Sequence, residues 1–356
     1  MIKILRLFCG KILIALILTD ISYVALALSI SQKDHIPGKS EMPVSRESIT
    51  FILGEDKDTA YSYYSEAGKY YKYNRQAHTE YLVTSCRSLL EVQSYLAIHH
   101  PANHQPWGLI NLVVHGNPWL GLSVPVAPGL KRASPGNILE YISRNLTAGL
   151  EDSLVDCKTI IYICGCGLGN DKVLLDAVAS FFKGKTAKPK VLASKLFEYY
   201  ISENKEDGMI ETHKYQAQSW YAYYRKGMEP DKSELIRKLR QHYPKASLKW
   251  KKALAHKSAE KPGDIFHYSF DVPLSWIVTY PDEKSKPKIP TITGKMKWLI
   301  QQKELIERVR QAHIPIDDFA WVFNDITYTD GKGIQKPAIW VKGYCSVICV
   351  LKLVKS

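Results

Sequence analysis

Apolar and polar positions alternate along this chain in blocks of two kinds. Ser48–Leu53, Glu80–Thr84, Trp107–Val114, Thr159–Ile163 and Val191–Tyr200 are short, nearly continuous apolar runs closed by polar or glycine-containing loops. Runs of this length and composition predict buried strands. Asp58–Tyr73, Ser88–His99, Pro135–Leu150 and Asp171–Phe182 lie between them with apolar residues at helical spacing. Strand and helix in alternation predict an α/β fold with a mostly parallel sheet flanked by helices. Ligands of such sheets sit at the carboxyl ends of the strands. Two distinctive loops fall there: His115-Gly116 after the third strand and Cys164-Gly-Cys-Gly-Leu-Gly169 after the fourth.

Beyond residue 205 the pattern changes. Leu235, Ile236 and Leu239 predict a helix, and Lys295–Ala312 another. His267–Tyr280, Phe319–Tyr328 and Ile339–Val354 read as strands, with Asp330-Gly331 a turn between the last two. Residues 206–356 are therefore expected to form a basic helical segment and an α+β C-terminal module, following a Cys-His domain over 48–205.

The amino terminus changes the picture of location. Lys3, Arg6 and Lys11 precede the apolar run Ile12–Leu18, and a small-x-small ending follows at Ala25–Ala27. This is the pattern of a secretory signal over residues 1–29, with a flexible leader over 30–47. Too few apolar residues lie between Lys11 and Asp20 to span a bilayer. The expectation is an exported protein, periplasmic or extracellular, with no membrane association after signal cleavage. Asn145-Leu146-Thr147 is a glycosylation sequon, meaningful only in a eukaryotic secretory route.

Charge then enters. The 356 residues carry 48 Lys+Arg against 35 Asp+Glu, a formal +13. Arg225–Lys261 concentrates it, with twelve basic and four acidic residues giving 12 − 4 = +8. A solvated helical surface accounts for that run, and an anionic activator or anionic surface is the partner it would admit. No nucleic-acid partner is expected. The six cysteines beyond the leader are too few for a disulfide framework. Cys345 and Cys349, on one strand face about 13 Å apart, cannot bond each other. His99, His100 and His104 have no carboxylate at ligand spacing, so no metal or cofactor is expected. The tyrosines among residues 61–73 read as packing.

The chemistry rests on His115 and Cys166. A cysteine nucleophile needs an imidazole as base or ion-pair partner, and adjacent strand ends can supply both. The glycines let a substrate backbone approach, and the N–H groups of Gly116 and Cys166 are the expected oxyanion donors. A helix beginning at Asp171 would favour a thiolate at Cys166. Cys164, two residues away, is the competing nucleophile.

The blocks Leu112-Val113-Val114-His115-Gly116 and Ile160-Ile161-Tyr162-Ile163-Cys164-Gly165-Cys166-Gly167 resemble those of the clan CD cysteine peptidases, which include caspases, clostripain, gingipains and CHAT-type peptidases. The resemblance covers roughly residues 48–205. It implies a caspase-like fold, a Cys-His dyad without an obligatory third member, and cleavage of a protein or peptide after one preferred P1 side chain through an acyl-enzyme. Trp119 is similar to a gingipain-like feature and is the expected substrate contact. The strand after the cysteine would help line the S1 pocket, so Glu198 would select a basic P1, whereas Lys131, Arg132 or Arg144 would select an acidic one. The Gln-Ala-Cys-x-Gly signature of caspases is absent, and Cys164 stands where relatives carry Gln, Asp or Ser. The alternative to an endopeptidase is a catalytically silent caspase-like protein that binds a protein or a polyanion.

Overall fold

The computed structural model describes residues 46–57 and 62–354. The expected signal over 1–29 and nearly all of the leader over 30–47 lie outside the described residues. The fold is α/β, with a five-stranded parallel sheet flanked by helices and an antiparallel sheet in the C-terminal half.

The first sheet is built from β1 (Ser48–Ile52), β2 (Tyr81–Val83) and β3 (Leu109–Val113). A short hairpin, β4 (Gly116–Asn117) and β5 (Gly121–Leu122), separates these from β6 (Ile160–Cys164) and β7 (Lys190–Ala193). The spatial order is β2-β1-β3-β6-β7, all parallel. Helices α1 (Tyr63–Tyr73), α2 (Leu89–Ile98), α3 (Pro135–Ser143) and α4 (Lys172–Phe181) make the connections. Local chemistry sets their starts. Ser88 caps α2 by accepting from the Glu91 N–H, and the Glu91 carboxylate accepts from the Arg87 N–H just before the cap. Ser134 caps α3 ahead of Pro135, and Asp171 caps α4.

The period of two in the strands divides two cores. Phe51, Leu53, Ile110, Leu112, Ile161 and Ile163 face α2, α3 and α4. Ile52, Val113, Tyr162 and Cys164 face the tyrosines of α1. Both faces are covered, as near-continuous apolar strands require.

The apolar run Val191–Tyr200 is not one strand. It ends as β7, turns at Ser194–Leu196, and resumes as β8 (Phe197–Asn204), the first strand of the second sheet. Strand β9 (Ile210–Arg225) returns antiparallel to β8. The expected boundary at 205/206 therefore falls inside a hairpin, and the two halves share an interior. After α5 (Lys232–His242) and α6 (Trp250–Ala253) comes the edge strand β10 (Ile265–Thr279). The expected helix Lys295–Ala312 is two, α7 (Ile292–Ile300) and α8 (Lys303–Gln311). They precede β11 (Ala320–Thr329) and the twenty-residue β12 (Gln335–Val354). β12 pairs with β10 along its length, with β11 through its first half and with β9 through its second. Cys345 and Cys349 are buried free thiols on it.

Candidate active site

Val113 pairs with Cys164 in the parallel ladder of β3 and β6. His115 and Cys166 each lie two residues beyond that pair, on neighbouring strands about 4.8 Å apart. The Val114 N–H continues the ladder by donating to the Cys164 carbonyl at 3.1 Å. Leu168 then fastens the loops together. Its side chain lies where a Cβ on Gly116 would sit 2.8 Å from it and a Cβ on Gly165 2.9 Å, so neither position accepts a larger residue without displacing Leu168. Gly167 has φ +69°, the left-handed conformation that glycine adopts without strain, and it turns the chain past Pro118 and Phe197.

His115 is exposed at the rim, yet aromatic walls surround it. Tyr63 stacks on its ring at 4.4 Å between centroids, and Tyr64 meets it edge-on at 4.7 Å. The His115 N–H donates to the Tyr64 hydroxyl at 3.1 Å. Asp56 accepts from the Tyr64 and Ser65 N–H groups at 2.9 Å and anchors the start of α1 beside the histidine. The aromatic enclosure lowers the His115 pKa to about 4; Asp56 opposes this and Arg132 adds to it. The imidazole is thus neutral at pH 7.

Cys166 is half-buried and packs with Phe197, Leu351 and Tyr268 of the second sheet. Burial pushes its thiol up to about 12; an N–H from the Glu198 backbone opposes the rise, and the Glu198 charge adds to it. The expected help from the α4 N-terminus is not realised. That helix starts six residues later, behind a 3₁₀ turn at Leu168–Asn170, and the Asp171 carboxylate caps it. No hydrogen bond joins Cys166 to His115 among the described residues. The Cys166 thiol and the His115 imidazole both rest neutral, and Tyr63 reaches from the His115 ring to the Cys164 carbonyl through a 2.7 Å hydrogen bond.

The competing nucleophile is accounted for. Cys164 is fully buried, shares a 3.2 Å hydrogen bond with the Tyr71 hydroxyl and has its pKa raised to about 11 by burial. Only Cys166 of the two reaches the rim. Of the N–H groups expected as oxyanion donors, that of Cys166 has no acceptor among the described residues. The Ser123 N–H donates to the His115 carbonyl at 2.7 Å, which makes Gly116–Leu122 a non-hydrogen-bonded pair and leaves the Gly116 N–H outside that ladder.

The two expected substrate contacts lie elsewhere. Trp119 turns into the C-terminal half, where its indole N–H donates to the Ala312 carbonyl at 2.6 Å and its ring meets Tyr221 and Phe270. Glu198 is buried, with Oε1 accepting from Lys214 at 2.9 Å and Tyr162 at 2.7 Å. Its charge is neutralised internally, so it offers little to a basic P1. Its Oε2 accepts no hydrogen bond from the described residues. Arg132 differs from both. It is partly buried and has no carboxylate partner among the described residues. Its Nη2 donates to the Gly121 carbonyl at 3.0 Å and its Nε is buried without an acceptor. Its charge is felt at His115. Lys131 and Arg144 are exposed, and Arg144 pairs with Glu140.

Sequence reasoning missed the roles of Tyr63, Tyr64 and Leu168. The tyrosine cluster of α1 was legible as packing, but nothing in its spacing pointed to His115. No group of side chains able to hold a metal occurs among the described residues. Neither a protein-family model, nor a curated protein, nor a solved structure matches this chain.

Proposed function

We propose that the protein is a cysteine endopeptidase in which Cys166 is the nucleophile and His115 the base. One observation carries the reading: both residues stand two positions beyond a register-paired couple, on adjacent strand ends of one parallel sheet. Resemblance of the two sequence blocks to clan CD supports it. In the reaction His115 takes the thiol proton as sulfur attacks the scissile carbonyl. The Gly116 and Cys166 N–H groups receive the oxyanion. The carbon–nitrogen bond breaks, the imidazolium gives its proton to the leaving amine, and a thioester remains. Water, deprotonated by His115, hydrolyses that ester and restores the thiol. Because both dyad groups rest neutral, the proton moves during attack rather than beforehand. Substrate must also displace the Tyr63 ring from the imidazole face.

The substrate best supported has an acidic side chain at P1. Arg132 is an underpaired guanidinium near the base, and an incoming carboxylate would give its charge a partner. Export through a cleaved signal is part of the same proposal. The test is a P1-scanning peptide library on wild type, Cys166→Ala and Arg132→Gln. Hydrolysis after Asp or Glu, lost in Cys166→Ala and reduced at least tenfold in Arg132→Gln, is expected. Turnover that survives Cys166→Ala sinks the assignment.

A second reading has its own support. The stacked Tyr63 and the raised thiol pKa suit a catalytically silent protein that binds a partner. It expects no hydrolysis of any library member.

A further inference from the structure

The +8 segment wraps a cleft on the face of the second sheet that α5 and α6 cover. The floor is Gln218 and Trp220 of β9 with Lys352 of β12, and the wall is the His242–Leu248 connection. Its volume is about 560 Å³, within the range of small-ligand sites. A second depression of about 540 Å³, bounded by Arg240 and Lys249, lies on the other side of the same connection. No acidic residue lines either.

In this region Lys226 pairs with Asp271 at 2.8 Å, Arg237 with Glu234 at 2.7 Å and Lys238 with Asp318 at 3.3 Å, whereas Lys232, Lys251, Lys252, Lys257 and Lys261, away from the clefts, have no ion-pair partner among the described residues. Arg240, Lys245, Lys249 and Lys352, which bound the clefts, have no ion-pair partner among the described residues. The connection, which carries Lys245, is held in place. The Tyr243 hydroxyl accepts from the Tyr221 N–H at 3.1 Å, and Tyr243, Ala246 and Leu248 pack on a core containing Leu239 and Trp250. The cations are therefore presented from a fixed edge, beside the aromatic surface of Trp220 and Tyr243. Such preorganisation lowers the ordering cost of binding.

We infer that this cleft binds a small ligand bearing two or more closely spaced phosphate or sulfate groups. Lysines act as point charges that suit such tetrahedral anions; Lys245 and Lys352 line this cleft, and Arg240 and Lys249 line the depression across the connection, so more than one anionic group can be met there. A concave site of this volume fits a compact ligand better than an extended surface. The inference is independent of the dyad.

Calorimetric titration of the purified protein with tripolyphosphate, and separately with sucrose octasulfate, tests it at physiological salt. Saturable binding of at least one is expected, and which one binds identifies the anion. Lys245→Glu/Lys352→Glu should weaken binding at least tenfold. Lys257→Glu/Lys261→Glu makes the same change in net charge outside the clefts and should weaken it less than threefold. Should the first pair fail to fold by circular dichroism, Lys245→Gln/Lys352→Gln is expected to weaken binding at least threefold. Absence of saturable binding to both anions overturns the inference. So does equal weakening by the two charge-reversed pairs, which would mean a diffuse field.

Discussion

The indole N–H of Trp119 donates to the backbone carbonyl of Ala312 across 193 positions of sequence, at 2.6 Å. Trp119 follows the His115 loop directly, so this bond ties the rim of the first sheet to the end of α8. Around it, Tyr221, Phe270 and Val347 close a shared interior. Two consequences are measurable by urea denaturation. Trp119→Phe retains most of the packing and loses the hydrogen bond, at a cost of about 1 kcal/mol. Trp119→Ala also opens a void and should cost about 3 kcal/mol. Both should unfold in a single transition, because the halves share a core. Biphasic unfolding would contradict that.

Cys166 should be a slow nucleophile in the resting protein. Its thiol is raised to about 12 by burial, so little thiolate exists at pH 8. Iodoacetamide at that pH should label exposed Cys157 first, as peptide mapping by mass spectrometry will report. Labelling of Cys166 should rise steadily beyond pH 9. Tyr63→Ala, which uncovers the His115 face, should accelerate it several-fold. Cys166 labelling faster than Cys157 at pH 7 would mean a preformed ion pair.

The central strands of the first sheet were legible because β1, β3 and β6 are buried on both faces, which writes a continuous apolar run. The same property hid the break at Ser194–Leu196. Val191 and Phe197 are apolar for different reasons, one packing on the first core and the other on the second. His115 and Cys166 could be read as strand-end residues because glycines mark both turns. Their environment could not. Tyr63 reaches His115 from an element 52 positions earlier, and Lys214 reaches Glu198 from β9, 16 positions later, and local periodicity carries no trace of such contacts. Glu198 looked available because its strand was visible but its partner on β9 was not.

His115 gives the fold a definite acid limb. The unfolded chain binds a proton at this imidazole below about pH 6.5, whereas the folded chain does so only near pH 4. Between these values the unfolded state holds more protons, so stability falls as pH drops from 6.5 to 4. The exposed edge of the ring tempers the size of this effect. His115→Gln should flatten that part of the profile, compared by thermal melts at pH 7.0, 5.5 and 4.5. An unchanged slope in the variant would place the acid sensitivity elsewhere.

The buried pair Glu198–Lys214 predicts strong non-additivity. Glu198 has no exposed side-chain surface and Lys214 very little, and Tyr162 both donates to the carboxylate and offers its ring face to the ammonium at 4.9 Å. Removing either charge strands the other in a low-dielectric interior. Lys214→Met should therefore cost about 3–5 kcal/mol, and Glu198→Gln a similar amount. The double variant Glu198→Gln/Lys214→Met leaves no isolated charge, and should recover at least about 2 kcal/mol relative to the sum of the singles. Urea denaturation of the four proteins closes the cycle. A coupling below about 0.5 kcal/mol would mean that water reaches the pair and screens it, in contrast to their burial here.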